Sequence, residues 1–223
     1  MIQRWIRAGF LFFLITFLVI ALNYDDAAWQ AWNMKYESLL YNFLGDDWVP
    51  LFTFITYLGS AYVIFPLAGL FLIFLIRSNH QRMGALLATN IIGGRALTIL
   101  LKALFHRPRP DVEHLVYAGF YGFPSGHAMH AVAFYGFTFI MVCLFNRKKP
   151  ERTVSTATAV CLLIFLIGLS RVYLGVHYPL DVIGGYTAGA AWLCLLLISF
   201  RFPTAFGDRA QKKSAFLSGD GFH

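Results

Sequence analysis

The sequence predicts an all-α fold, an integral membrane bundle of six transmembrane helices that forms one domain over residues 1–223. Of its 223 residues, 58% are hydrophobic and only 13% are charged, a balance far from that of soluble globular proteins. Six apolar stretches also approach the roughly 20 residues that a helix needs to cross about 30 Å of hydrocarbon. These predicted spans leave no room for a separate soluble domain. They cover residues 6–22, 51–76, 83–105, 126–145, 153–169 and 181–200.

Arg4 and Arg7 precede the first apolar stretch, which gives it the outline of a secretory signal peptide. A signal peptide ends in a cleavage site of small residues, and no convincing one occurs before Asn23. We therefore expect the first span to be retained as a transmembrane helix.

The segment between the first and second spans is polar but carries large apolar side chains at roughly helical spacing. This pattern predicts an interfacial amphipathic helix that lies along the membrane surface. An ordinary helix packed against the bundle would show the same pattern, so both interpretations stay open. The apolar residues are Trp29, Trp32, Tyr36, Leu39, Leu40 and Phe43.

Basic residues in the short loops predict the orientation of the bundle in the cell membrane. Lys and Arg collect on the cytoplasmic side of membrane proteins, and here they precede the first span and follow the second, fourth and sixth. We therefore predict that both termini are cytoplasmic. This topology and contact with anionic lipids explain the net charge of +7, so we expect no nucleic-acid partner. The residues concerned are Arg4, Arg7, Arg77, Arg82, Arg147, Lys148, Lys149, Arg152, Arg201, Arg209, Lys212 and Lys213.

The three cysteines, Cys143, Cys161 and Cys194, all fall inside predicted spans. Their spacing is not that of a metal site, and no neighbouring His or carboxylate cluster accompanies them. We interpret them as small buried hydrophobic residues.

Three polar clusters interrupt the apolar pattern. KALFHRPRP ends the third span, PSGH opens the fourth, and SRVYLGVHYPLD joins the fifth to the sixth. With both termini inside, all three clusters lie at the outer face of the bundle and can meet there. Their basic residues Lys102, Arg107, Arg109 and Arg171 contradict the charge rule that holds elsewhere in the chain. Because ionisable residues at the membrane are costly, we interpret the clusters as a functional site on the outer face.

The PSGH cluster has the features of an anion site at the start of a helix. Ser125 is well suited to cap the helix, and Gly126 leaves its backbone N–H unobstructed at the positive end of the helix dipole. Lys102, Arg109 and Arg171 add fixed positive charges that can hold a phosphoryl group. No carboxylate cluster suited to Mg²⁺ or Zn²⁺ accompanies these cations. We therefore expect a site without metal or cofactor.

The third cluster supplies a nucleophile. His177 stands four residues before Asp181, and Pro179 occupies a plausible first helical position, so the carboxylate is expected to reach the imidazole and fix its tautomer. An oriented, neutral His is a competent phosphoryl acceptor. His127, one residue inside the other helix, is placed to protonate the leaving oxygen.

The clusters read K-x-x-x-x-x-x-R-P over residues 102–110, P-S-G-H over 124–127 and S-R-x-x-x-x-x-H-x-x-x-D over 170–181. Together they resemble the three signatures of the type 2 phosphatidic acid phosphatase superfamily, also called the lipid phosphate phosphatases. All signature positions are present in order across the motif region of residues 102–181.

The resemblance implies a metal-independent phosphatase that forms a phosphohistidine on His177. It implies that Asp181 is the orienting partner of His177 and that His127 is the general acid. The phosphate-holding residues that it implies are Lys102, Arg109, Ser125, Gly126, His127 and Arg171.

Several residues near the signatures receive no catalytic role. His106 and Arg107 lie in the variable stretch of the first signature, and we interpret His114 and His130 as structural or gating residues. The aromatic loop at residues 116–123 is expected to line a sideways entrance for a lipid between the spans.

A compact chain of this family is similar to bacterial phosphatidylglycerophosphate phosphatases and undecaprenyl pyrophosphate phosphatases. The resemblance therefore implies a phospholipid or isoprenyl lipid phosphate as substrate, including phosphatidic acid, because the signatures bind only the phosphoryl group. Two other hypotheses remain. One is a phosphotransferase that passes the phosphoryl group to an acceptor lipid. The other is a non-enzymatic anion or lipid transporter, which would leave the His177/Asp181 pairing without a purpose.

Overall fold

A computed structural model describes residues 2–112, 114–119, 121–145 and 150–201, and these residues form helices and loops without a β-strand. A short 3₁₀ turn precedes α3, and a π-helical stretch at residues 132–136 joins α6 to α7 without a break. The helices are α1 (Ile2–Asn23), α2 (Ala27–Leu44), α3 (Val49–Leu58), α4 (Ala61–Arg77), α5 (Gln81–Phe105), α6 (Gly126–Ala131), α7 (Phe137–Phe145), α8 (Pro150–Tyr173) and α9 (Pro179–Ser199).

Five of the described helical segments are each long and apolar enough to cross a membrane, and a bent helix pair brings the number to six. The predicted span at residues 51–76 is this pair: α3 and α4 meet at an angle of 41°. The sequence predicted a span over these residues but did not predict the bend. The bend lies at Gly59 and Ser60, where a β-carbon on Gly59 would collide with Ile167 of α8. Close contact between α3 and α8 thus depends on the glycine.

The helix predicted between the first two spans is present as α2. The Asp26 side chain caps its first turn by accepting hydrogen bonds from two backbone N–H groups. Asn33 is fully buried and accepts a hydrogen bond from the backbone N–H of Leu180 at the start of α9. Most other residues of α2 are exposed, and they include five large apolar side chains. Its exposed apolar residues are Trp32, Met34, Tyr36, Leu39 and Phe43.

Helix α9 is the most buried span and runs through the middle of the bundle. Two of its glycines allow α6 to approach closely, because a β-carbon on Gly185 would lie 2.5 Å from the Ser125 carbonyl and one on Gly189 2.7 Å from that of Met129. Small residues at helix interfaces are the usual means of close packing in membranes. The glycines therefore set the distance between α9 and the start of α6, where PSGH lies.

The bundle has a polar end and an apolar end. Helices α1, α5 and α8 finish at the polar end, whereas α6 and α9 begin there, as contacts among Phe17, Phe105, Phe123 and Leu180 indicate. The first described residue, Ile2, and the end of α9 consequently lie together at the apolar end. The basic loop at residues 146–149 and the tail at residues 202–223 fall outside the described residues.

A cluster of buried apolar side chains, called here the apolar core, occupies the end opposite the polar clusters. It joins α4, α5, the α6–α7 segment and α9, and most of its members are less than 6% exposed. Its residues are Ile64, Ala68, Leu75, Met83, Leu86, Leu87, Phe134, Phe137, Met141, Leu193, Leu196 and Leu197.

The cysteines are only partly as predicted. Cys143 and Cys194 are half-buried, but Cys161 is exposed on α8 beside exposed Leu162 and Phe165. The prediction that all three are buried was wrong, because a membrane span can turn an apolar residue outward without exposing it to water.

Candidate active site

The three polar clusters meet in one cavity of about 480 Å³ at the polar end, called here the site cavity. Six of the eight predicted site residues line it, while Ser125 and Asp181 are completely buried beside it. The end of α5, the start of α6, the end of α8 and two loops all contribute side chains. The six lining residues are Lys102, Arg109, Gly126, His127, Arg171 and His177.

Arg109 is tied to the loops on both sides of the site cavity. Its Nε donates a hydrogen bond to the Gly119 carbonyl, and one terminal nitrogen donates to the Val176 carbonyl, both at 2.5 Å. The same terminal nitrogen lies 3.3 Å from Nε2 of His177. Burial lowers the pKa of Arg109, and the carboxylate of Asp181 opposes that shift. A guanidinium stays protonated under such shifts, so Arg109 presents a fixed positive charge to His177.

Lys102 and Arg171 approach the cavity from α5 and α8. The Lys102 amine donates a 2.6 Å hydrogen bond to the Tyr121 carbonyl, and Arg171 donates a 2.7 Å hydrogen bond to the hydroxyl of Thr56. Arg171 is only 3% exposed. Thr56 belongs to the last turn of α3, so the bend after α3 brings a partner for Arg171 to the site.

His177 precedes α9 and is 1% exposed. Burial, followed by the charges of Arg109 and Lys102, lowers its pKa well below the ordinary value of 6.5. The imidazole is therefore neutral at pH 7, with Nε2 directed toward Arg109.

The Asp181 carboxylate lies next to the imidazole of His177, as their spacing predicts, but the two side chains are not hydrogen-bonded. Nδ1 of His177 lies 3.6 Å from Oδ2 of Asp181, which is beyond hydrogen-bond distance. The carboxylate is held by two other donors: Oδ2 accepts the backbone N–H of Tyr178 at 2.9 Å, and Oδ1 accepts from Arg107 at 2.8 Å. The spacing thus brought the two side chains together, but helix capping and an arginine hold the carboxylate slightly away.

Arg107 is the residue that the sequence signatures missed. It is 4% exposed, forms a buried ion pair with Asp181, and lies with its guanidinium carbon 5.1 Å from the ring centres of both Tyr24 and Tyr178. Cation–π contacts of this kind stabilise a desolvated guanidinium. The charge rule did single out Arg107, but nothing in its spacing distinguished it from a solvated loop residue.

Ser125 occupies the N-cap position of α6 as predicted, yet its hydroxyl makes no capping hydrogen bond. Its backbone N–H donates to the Asp181 carbonyl at 2.9 Å, which joins the starts of α6 and α9. At Gly126 a β-carbon would lie 3.2 Å from a Thr98 methyl group and 3.9 Å from the Lys102 side chain. The glycine therefore lets the start of α6 lie close to Lys102.

Buried polar atoms without a hydrogen-bond partner among the described residues collect around this cavity. Burial without a partner costs about 1–3 kcal/mol per group, so such atoms are suited to receive a polar ligand. Those at the site are Oγ of Ser125, Nε2 of His130, Nε of Arg171 and Nδ1 of His177.

The aromatic loop lines the cavity in part. Val116, Tyr117 and Tyr121 face it, and Tyr117 is 94% exposed. Phe123 is instead completely buried against Phe17 of α1, and Phe120 lies outside the described residues.

The sequence that forms this site matches a known family. Residues 83–204, which contain all eight predicted site residues, match the PAP2 superfamily. A relative named phosphatidylglycerophosphatase B, from Bacillus subtilis, is 33% identical over 81% of this chain and 87% of its own length. The chain belongs to the PAP2 superfamily.

Solved and curated PAP2 proteins agree with the fold and with the kind of chemistry. The crystal structure of a transmembrane PAP2-type phosphatidylglycerolphosphate phosphatase from Bacillus subtilis is similar with a TM-score of 0.77 and 26% identity, over 90% of this chain and 96% of that one. An undecaprenyl-diphosphatase from Sulfolobus acidocaldarius is 29% identical over 66% of this chain and 68% of its own length. This PAP2 chain is accordingly a multi-pass membrane protein and a phosphatase. That assignment contradicts the transporter hypothesis.

Proposed function

We propose that this PAP2 protein is a lipid phosphatase that removes a terminal phosphoryl group through a phosphohistidine on His177. The observation that carries the proposal is the neutral, buried imidazole of His177, whose Nε2 faces Arg109 in a cavity shared with Lys102 and Arg171. A nucleophile beside three cations is suited to attack a phosphorus atom whose oxygens those cations hold.

In the first step, Nε2 of His177 forms a bond to phosphorus while the bond from phosphorus to the lipid oxygen breaks. Lys102, Arg109 and Arg171 bind the non-bridging oxygens, where charge is spread in the transition state. The backbone N–H of Gly126 and the hydroxyl of Ser125 supply further donors. The leaving oxygen takes its proton from His127, which lines the same cavity at the start of α6.

In the second step, water attacks the phosphohistidine. His127, now without its proton, accepts one from the water as the new P–O bond forms and the P–N bond breaks. Inorganic phosphate leaves, and His177 returns to its neutral state. The same two residues thus serve both steps in opposite protonation states.

Asp181 and Arg107 support the nucleophile without contacting the substrate. The carboxylate lies 3.6 Å from Nδ1 and orients the ring, and it stabilises the cationic phosphohistidine as Nε2 bonds to phosphorus. Arg107 holds this carboxylate through the 2.8 Å ion pair, so we assign it as a positioning residue.

The substrate is a phospholipid or an isoprenyl lipid phosphate. Relatives are named for phosphatidylglycerophosphate, undecaprenyl diphosphate and lipid A 1-phosphate, each a phosphate on a lipid. The exposed apolar spans and the cavity at one end of the bundle suit such a molecule.

The whole chain, residues 1–223, is proposed to form one domain with both termini in the cytoplasm and the site on the outer face. Loop charges support this orientation, and so does the position of the site at the end away from Ile2 and Ser199. The exposed aromatic side chains of α2 are proposed to lie in the outer membrane–water interface.

Thiol labelling tests this orientation. In a chain with its cysteines replaced by Ser, Tyr117→Cys should react with an impermeant thiol reagent outside intact cells. Arg82→Cys should not react, and reversed labelling would contradict the orientation.

Phosphate release by the purified protein in detergent tests the function. Isoprenyl diphosphate, phosphatidylglycerophosphate and phosphatidic acid should be hydrolysed faster than a water-soluble phosphate ester, with His177→Ala protein as the blank.

EDTA should leave the rate unchanged because the cations that hold the phosphate are side chains, and the described residues bring no three His, Cys, Asp or Glu together. Vanadate should inhibit. Loss of activity in EDTA that Mg²⁺ restores would make the metal-free mechanism wrong, and a product that appears only with an acceptor lipid would indicate a phosphotransferase.

A further inference from the structure

Arg95 lies near the middle of α5, a predicted membrane span, and belongs to none of the three signatures. It precedes Lys102 by two helical turns, about 10 Å, and so lies on the same face of the helix. No carboxylate of the described residues is within salt-bridge distance of it. An arginine inside a span is costly and generally marks a functional site.

Two cavities meet at Arg95. One is the site cavity, in which Arg95 and His177 are both lining residues. The other is an apolar groove of about 300 Å³ between α4 and α5, with Arg95 as its charged member. The apolar groove suits a hydrocarbon chain, and the site cavity suits a phosphate group. Arg95 therefore lies where the hydrocarbon part of a bound lipid would meet its phosphate part. The groove is lined by Phe65, Leu72, Leu87, Ile91 and Ile92 with Arg95.

His130 faces the same place from α6. It lines the site cavity, is 6% exposed, and its Nε2 has no hydrogen-bond partner among the described residues. The ring lies 6.3 Å from that of Phe65, a residue of the apolar groove. A buried ring nitrogen without a described partner, next to an arginine that forms no ion pair with a described carboxylate, suits an anion when that nitrogen carries the hydrogen.

The linings of the two cavities place these side chains relative to a bound lipid. His127, Lys102, His130 and His177 line the site cavity, and Arg95 lines both this cavity and the apolar groove. A lipid with its reacting phosphoryl group at His177 and its hydrocarbon in the groove would therefore bring its leaving group to Arg95.

We propose that Arg95 and His130 form a second anion subsite that binds the phosphate remaining on the lipid after the terminal phosphoryl group has been transferred. This inference rests on the proposed phosphatase function. The ligand class is a lipid with two phosphates in series, which is the chemistry of both an isoprenyl diphosphate and phosphatidylglycerophosphate. Phosphatidic acid carries only the reacting phosphate and would leave the subsite unused.

The signature residues bind only the reacting phosphoryl group, which all these lipids share. The second subsite would let the protein distinguish lipids with two phosphates from lipids with one. The guanidinium and Nε2 of His130 donate hydrogen bonds to the two non-bridging oxygens of the retained phosphate. For a diphosphate this group is also the leaving group, so its negative charge rises as the P–O bond breaks. Binding at Arg95 then favours the transition state over the bound substrate.

The test compares kcat/KM for isoprenyl diphosphate, phosphatidylglycerophosphate and phosphatidic acid in wild-type, Arg95→Gln and His130→Gln proteins. Each substitution should lower the value for a two-phosphate lipid by about 10- to 100-fold, as expected for a lost hydrogen bond to a charged group. The value for phosphatidic acid should stay close to that of the wild type. Arg82→Gln, an exposed arginine on the first turn of the same helix, is the matched control and should change none of the three.

The outcomes separate this inference from the function on which it rests. An equal loss for all three lipids, or no loss for any, overturns the second subsite while leaving the phosphatase intact. Selective loss for only one of the two-phosphate lipids supports the subsite and identifies which spacing of phosphates it fits. A wild-type protein that hydrolyses none of the lipids overturns the proposed function instead. Vanadate inhibition that is unchanged in Arg95→Gln shows that the reacting end of the cavity is still folded.

Discussion

The two ends of the bundle are both buried, but they are built in opposite ways. In the apolar core, Leu86, Leu87 and Phe137 are at most 1% exposed and pack in a cluster of apolar side chains. At the polar end, Arg171 and Asp181 are equally buried, yet each has polar neighbours and the site retains polar atoms without partners. The same helices α5 and α9 pass through both ends.

This difference separates stability from activity. Close packing of apolar side chains holds helices together in a membrane, where each buried contact adds a small attraction. Buried charges and unpaired donors cost free energy, and they persist because they bind a ligand that is itself charged. We therefore expect substitutions at the polar end to lower activity much more than stability, and substitutions in the apolar core to do the reverse.

The largest effect is expected for His177→Ala, because it removes the nucleophile. The rate should fall by about 10⁴-fold or more, as for nucleophile removal in other enzymes. His80→Ala, at the opposite end of the bundle, is the control and should remain active. Rapid quenching in alkaline detergent after brief exposure to ³²P-labelled substrate should reveal a phosphoenzyme that is stable in alkali and lost in acid in the wild type, and none in His177→Ala. Turnover like that of the wild type in His177→Ala would remove this residue from the mechanism.

The next effect depends on the leaving group and tests His127. A lipid monophosphate expels a basic alkoxide that needs a proton, whereas a lipid diphosphate expels a phosphate monoester that is stable as an anion. His127→Ala should therefore lower kcat/KM for phosphatidic acid by about 10²- to 10⁴-fold and that for isoprenyl diphosphate far less. Arg171→Ala, which removes a phosphate contact, should lower both alike. Equal losses in His127→Ala would show that His127 chiefly binds phosphate.

The fold was predictable where it depends on local composition. The six apolar stretches correspond to five long apolar helices and the bent α3–α4 pair among the described residues, and Pro179 does begin α9. The bend at Gly59 was missed because it depends on the approach of Ile167, more than 100 residues later in the chain. Hydropathy reports the length of a span but carries no information on such distant contacts.

Prediction of the site from the sequence was limited in the same way, because it also depends on contacts between distant parts of the chain. Motif spacing predicted that Asp181 lies next to His177, where the two side chains are 3.6 Å apart, but it gave no sign that Arg107 holds that carboxylate from a different loop. Arg95 and His130 were also missed as a pair, since only the packing of α5 against α6 brings them together. Signatures identify residues that touch the reacting group, and tertiary structure identifies those that support or extend it.

A smaller effect is expected for Arg107→Gln. Arg107 does not line the site cavity, so KM should change little, while kcat should fall by about 10- to 100-fold as the Asp181 carboxylate loses its position. Arg107→Lys keeps a positive charge and should recover part of kcat. A double-mutant cycle with Asp181→Asn measures the coupling of the pair. An increase in KM with kcat unchanged would instead indicate contact with the substrate, and the positioning role would be wrong.

The smallest effect on activity is expected for Leu86→Ala, and this substitution also tests whether the two ends of the bundle are coupled. Leu86 is completely buried in the apolar core, so the loss of its side chain leaves a cavity and should cost about 2 kcal/mol or more of stability. Leu100→Ala makes the same chemical change at a 64% exposed position of α5 and should cost little. Thermal inactivation in detergent measures the difference in stability, and kcat/KM at a temperature where both variants remain folded measures activity. Both variants should turn over substrate like the wild type. If Leu86→Ala lowers kcat/KM while Leu100→Ala does not, then α5 transmits changes in the apolar core to Lys102, and the separation of stability from activity fails.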